Sequence, residues 1–115
     1  MKYILLIYTD EAEWSRMTKE EAGALMGEYG AFTNDVKTSG RLVGGERLQS
    51  VSTATTVRAR SGKISTTDGP YAETKEQLGG YFVIEARDLN EAIQVAGRIP
   101  GARSGAVEVR PIAPM

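Results

Sequence analysis

Positions Tyr3 to Tyr8 are apolar or aromatic without a break. Such a run is too short for a helix and shows no alternation, so it predicts a strand buried on both faces. Residues 9–17 are polar and read as irregular, with Trp14 the one large apolar side chain. Thr18 then stands three residues before Glu21, the spacing of a capping box. Behind it, Ala22, Leu25, Met26, Tyr29, Phe32 and Val36 recur at three- and four-residue steps. That stripe predicts an amphipathic helix over 18–39, stopped by Gly40. Gly23, Gly27 and Gly30 fall inside it, which fits either close backbone packing or plain tolerance.

Arg41 to Leu48 reads as a second strand, broken by Gly44-Gly45, a pair that marks a bulge or a close backbone approach. Residues 54–60 and 63–67 are β-branched and partly alternating around Ser61-Gly62, which predicts a hairpin with one solvated face. Residues 68–80 read as a loop, and Tyr81 to Glu85 as a strongly apolar strand. Asp88, with Glu91 three residues on, opens a second helix whose buried face is Leu89, Ala92, Ile93, Ala96 and Ile99. Pro100-Gly101 ends it. Val107 and Val109, alternating with Glu108 and Arg110, form the last strand.

The order is β-α-β, hairpin, β-α-β. Two split β-α-β units with an inserted hairpin describe an α+β, ferredoxin-like sandwich around an antiparallel sheet. Both helices then cover one face. The other face also needs cover, because strand 3–8 carries no polar alternation. The same face of a second copy is the simplest cover, and a homodimer joined sheet to sheet is expected.

Composition narrows the chemistry. At 115 residues the chain is expected to form one domain, 1–115. Fourteen basic and fifteen acidic residues give a net charge of −1, which argues against a general nucleic-acid binder. Cysteine and histidine are both absent. This excludes disulfides, thiolate chemistry, and Ser-His-Asp or Cys-His machinery within the chain. Glycines are numerous, yet no Walker pattern and no G-x-G-x-x-G follows a strand, so no nucleotide site is expected. No cofactor and no metal site is expected either: the acids Glu73 and Glu76 lack calcium-loop spacing. The apolar start is too short for a signal-peptide core or a membrane span, so a cytoplasmic protein with no membrane partner is expected.

The densest chemistry lies in Asp68-Gly69-Pro70-Tyr71-Ala72-Glu73-Thr74-Lys75-Glu76-Gln77-Leu78-Gly79-Gly80-Tyr81. Asp68-Gly69-Pro70 is a turn signal: the aspartate accepts from its own following backbone, and Pro70 fixes φ. A pocket rim would use the same residues. Asp68 is then a general acid or base and Lys75 an anion contact, since a buried carboxylate can act near neutral pH. A turn aspartate among solvated charges is the more common case. Tyr71 and Tyr81 flank the segment and could line a pocket wall; packing is the ordinary role for the other aromatics. One of Arg41, Arg47 and Arg110, in or at the ends of strands, could grip a carboxylate or phosphate bidentately, although a solvated or salt-bridged arginine is the more common case.

This stretch, continuing through the helix that opens at Asp88, resembles DGPF-type members of the YCII-related domain family. Tyr71 stands where the family's four-residue motif has phenylalanine. The resemblance extends to Met1-Lys2-Tyr3, Gly40-Arg41-Leu42, Gly44-Gly45-Glu46-Arg47-Leu48 and Val107-Glu108-Val109-Arg110-Pro111. It implies a ferredoxin-like chain forming a dimeric α/β barrel in a bacterial protein. A related branch uses a His-Asp pair to eliminate chloride from a chlorinated hydroxyhydroquinone. With no histidine here, only the aspartate half has a counterpart, Asp68. Genes of this type often neighbour extracytoplasmic-function sigma factors, which implies a regulatory association.

Three readings of function follow. The first is a cofactor-independent lyase- or isomerase-like enzyme, with Asp68 moving the proton and Tyr71, Glu73, Lys75, Tyr81 and Arg41 contacting substrate. The second is a small-molecule sensor using the same cavity without turnover. The third is an interaction module docking through the charged segment 73–76.

Overall fold

A computed structural model describes residues 1–115. Strand β1 (Lys2–Thr9) is followed by helices α1 (Glu11–Arg16) and α2 (Lys19–Thr38), and then by strand β2 (Leu42–Arg47). Strands β3 (Thr55–Arg60) and β4 (Lys63–Asp68) form the hairpin. Strand β5 (Gln77–Glu85), helix α3 (Leu89–Ala96) and strand β6 (Ala106–Pro111) complete the chain. Four strands form one sheet in the order β2-β5-β1-β6, every pair antiparallel. The mixed α+β arrangement is consistent with the ferredoxin-like fold. The hairpin stands apart as its own two-stranded sheet.

Local chemistry explains the elements. The Thr18 hydroxyl accepts from Glu21 N–H at 3.1 Å while Glu21 accepts from Thr18 N–H at 3.0 Å, the reciprocal capping box. At the other end of α2, Gly40 takes a φ of +79°. Its N–H donates to Lys37 and that of Arg41 to Val36, so the last carbonyls are satisfied. In the hairpin, Ser61 and Gly62 both adopt positive φ, the geometry that matches strand twist in a two-residue turn.

One core joins the sheet to α2 and α3. Tyr3, Leu5 and Ile7 of β1 and Ile84 of β5 pack against Phe32, Val36, Ala92, Val95, Ala96 and Ile99. Phe32 meets Phe82 edge-on with ring centroids 5.2 Å apart. Gly101 N–H donates to the Tyr29 hydroxyl at 3.1 Å, and burial pushes that phenol above its usual pKa range.

Several expectations need correction. Residues 9–17 are not irregular. Asp10 caps α1, its carboxylate accepting from Ala12 N–H at 2.9 Å, and Trp14 lies under the Arg47 guanidinium at 4.9 Å. Strand β5 starts at Gln77 rather than Tyr81, because Leu78 to Gly80 pair with β1 across an irregularity at Ile7/Tyr8. The loop expected over 68–80 is correspondingly shorter. Leu89 and Ile93, expected to be buried, are 49% and 47% exposed, and Val95 takes the core position instead. Eight residues of helix meet the sheet over a narrower strip than their apolar stripe. Around Gly23, Gly27 and Gly30 nothing would lie within 4 Å of an added Cβ, so these helix glycines are tolerated rather than packed. Both readings of Gly44-Gly45 apply. The register shifts between Leu42 and Gly44, and a Cβ on Gly45 would stand 2.7 Å from the Tyr81 carbonyl oxygen.

A single protomer buries β1 on one face only. Register places Ile4 and Leu6 beside Val83 and Tyr81, and Tyr8 beside Leu78, on the side away from the helices. All six are half-exposed. Glu46 flanks this stripe on β2; Ala106, Glu108 and Arg110 flank it on β6.

Candidate functional site

The information-rich segment leaves the hairpin at Asp68 and enters the sheet at Gln77, crossing the end of the uncovered face. Gly69 adopts a φ of +111°, which a side chain would strain. The turn is not held by the Asp68 carboxylate. Gly69 N–H donates instead to Ala54 at 2.8 Å, and the Gly69 carbonyl accepts from the Thr56 hydroxyl at 2.9 Å. Asp68 is thereby left exposed at the base of the hairpin.

The rest of the segment is pinned by short polar ties. The Thr74 hydroxyl donates to the Glu76 carbonyl at 2.6 Å. Gln77 spans two elements, donating to the Thr74 carbonyl at 3.0 Å and accepting from Glu11 N–H at 3.0 Å. The Glu11 carboxylate in turn accepts from Ser50 Oγ at 2.9 Å and Val51 N–H at 2.8 Å. Helix α1 is therefore the bracket that fixes both approaches to the hairpin.

This arrangement forms an open cleft of about 680 Å³ lined by Tyr8, Asp10, Glu13, Thr74, Lys75, Glu76, Ser104 and Ala106. Three carboxylates face one ammonium there, with two hydroxyls and a phenol beside them. Such a set can hydrogen-bond a small polar molecule from several directions, while Tyr8 connects it to the apolar stripe.

The named residues fall into separate places. Lys75 lines the cleft. Glu73 is exposed nearby in sequence but outside the cleft lining. Tyr71 is 81% exposed, its ring under the Arg58 guanidinium at 5.8 Å. Tyr81 sits on the uncovered sheet face between Leu6 and Glu46. Arg47 is occupied with Trp14, and Arg110 pairs with Glu108.

Arg41 does not join them. It lies beside Glu85 at the far end of β5, roughly 26 Å along the strand from Gln77 at about 3.3 Å per residue. There it lines a smaller cleft of about 350 Å³ with Arg87, Glu91 and Arg98. Glu91 answers both neighbouring arginines, with Arg87 Nε at 2.6 Å and Arg41 Nε at 3.4 Å. The Arg87 hydrogen bonds, with the Arg41 charge behind them, hold the Glu91 carboxyl below the usual range.

Asp10, Glu13, Ser104 and Ala106 were not among the sequence candidates. The register Tyr8–Ala106 is what brings the end of β1 to the start of β6. Asp10, with Glu13 three residues on, carried a readable cap signal.

With the site in place, the whole chain, residues 1–115, matches the family model for the YCII-related domain. The chain belongs to the YCII-related domain family. A relative in Rhizobium meliloti (strain 1021), "Uncharacterized protein R00369", is 37% identical over 115 residues, covering 98% of this chain and 93% of the relative. No helix of this family member is long and apolar enough to cross a membrane.

Proposed function

We propose that this YCII-related protein acts as a homodimer that binds a small organic molecule where the motif segment crosses the uncovered sheet face. The observation that carries the reading is that face: Ile4, Leu6, Tyr8, Leu78, Tyr81 and Val83 form one apolar stripe with no cover, ending at the cleft. Sheet-to-sheet pairing of two copies would close a dimeric α/β barrel and turn the open cleft into a cavity.

Within it, Lys75 and Tyr81 orient the ligand, with Tyr71 and Glu73 at the rim. Asp68 is the proton-transfer group of a lyase- or isomerase-like reaction. The Asp68-Gly69-Pro70-Tyr71 run, like that of DGPF-type relatives, supports this assignment. Arg41 has no part, given its distance and its pairing with Glu91. Native mass spectrometry on protein purified from its own host should give twice the chain mass plus a small-molecule increment. Asp68→Asn should then retain the ligand and lose turnover; full activity in that variant would remove Asp68 as the base.

A second reading rests on Glu73 and Lys75, which are exposed and enter no ion pair. They would form a docking surface in a sigma-factor-linked regulatory system. Capture of the same partner by a Glu73→Ala/Lys75→Ala variant would end that reading.

A further inference from the structure

The hairpin has two unlike faces and almost nothing beneath it. Register puts Val57, Ala59, Ile64 and Thr66 on one face, and Arg58, Arg60 and Lys63 on the other. Val57 and Ile64 are 59% and 76% exposed. An isolated two-stranded hairpin is marginally stable in water, and an uncovered apolar face adds an aggregation hazard. A segment of this kind persists when something covers it.

Surface area points to a second copy as the cover. The protomer exposes 8042 Å². A compact monomer of this mass exposes about 6,100 Å², so the excess is roughly 1,900 Å². A standard interface removes about 800 Å² from each partner, and obligate dimers remove more. The radius of gyration of 16.0 Å also exceeds the roughly 13 Å of a compact chain this long.

Charge points the same way. All ion pairs of the protomer join residues outside 42–84. Arg60 and Lys63, at the hairpin tip, enter no ion pair within their own chain. The cleft holds Asp10, Glu13 and Glu76 against Lys75 alone.

We propose that the hairpin is an arm laid on a second copy of the chain, its Val57–Ile64 face against that copy and the long Arg60 and Lys63 side chains, on the opposite face but at the last pair before the turn, reaching round the end of the hairpin to the mouth of the copy's acidic cleft. Each candidate site is then built from two chains, and the arm brings Asp68 and Tyr71 to the boundary between them. This rests on the dimer reading above.

The chain has no cysteine, so Ile64→Cys supplies a unique attachment point for a benzophenone photo-crosslinker. Equal amounts of light and isotopically heavy labelled protein are mixed, irradiated and mapped by peptide mass. Cross-links from position 64 of one chain to peptides of the other carrying Asp10, Glu13 or Glu76 are expected. A dimer whose cross-links stay within one chain would overturn the arm and leave the dimer standing; a monomer would overturn both. Arg60→Glu/Lys63→Glu should raise the dimer dissociation constant about tenfold, with partial recovery on adding Glu13→Lys. An unchanged constant would contradict the placement of the tip.

Discussion

The two parts of this protomer differ in how far they complete themselves. The β2-β5-β1-β6 sheet with α2 and α3 has a shared core, capped helices and every ion pair in the chain. The hairpin and the segment leading from it, residues 55–76, have no buried residue and no ion pair, yet hold Asp68, Tyr71, Glu73 and Lys75. The contrast teaches that the candidate chemistry lies on the part of the chain with the least burial. Rigid scaffolds commonly present functional groups on less stable segments. Here the uncovered apolar stripe lies alongside those segments and points to assembly as the missing support.

Truncation should separate the two parts most sharply. Ile84 is fully buried, so Ile84→Ala should cost about 2–5 kcal/mol in denaturant unfolding. Ile64→Ala should change protomer stability by less than about 0.5 kcal/mol while weakening self-association. Comparable losses of chain stability at both positions would erase the distinction.

Glycines sharpen it further. A Cβ on Gly105 would stand 2.1 Å from the Tyr8 carbonyl oxygen, at the junction of β1 and β6 beside the cleft. Gly105→Ala should therefore destabilise by about 1–3 kcal/mol and disturb the cleft. Gly27→Ala, on an open helix surface, should stabilise by about 0.5–1 kcal/mol in the same assay.

The smallest effect concerns Glu91, at the opposite end of the molecule from the cleft. Folding lowers the pKa of its carboxyl through Arg87 and then Arg41. Its contribution is present above the ordinary carboxylate range and is lost as pH falls through and below it. Glu91→Gln should flatten the acid limb of a stability–pH curve; an unchanged limb would show that this pairing does not reach global stability.

Much of the scaffold was legible because local signals agreed with one another. The Thr18–Glu21 box, the Gly40 stop, the Ser61-Gly62 turn and the Asp88 cap each name an element boundary. The run Tyr3–Tyr8 shows why a buried strand is not a two-face statement about one chain. Its even positions, Ile4, Leu6 and Tyr8, are apolar yet half-exposed in the single chain, and an unbroken apolar run does not say whether the same chain or another molecule is to cover each face. Helix α1 escaped notice because a six-residue helix with one large apolar side chain has no periodic stripe. The cleft was legible only in part. Lys75 lies on the motif segment, whereas Asp10, Glu13 and Ser104 reach it through strand register. Arg41 lies apart from the cleft for the same reason in reverse: antiparallel register carries it to the far end of β5.

The claim beneath all of this is that one copy is an unfinished structure. Sedimentation equilibrium of the wild-type protein at micromolar concentration tests it directly. A mass of twice the 12.4 kDa chain is expected. A stable species with the mass of one chain, folded and soluble at the same concentration, would contradict it.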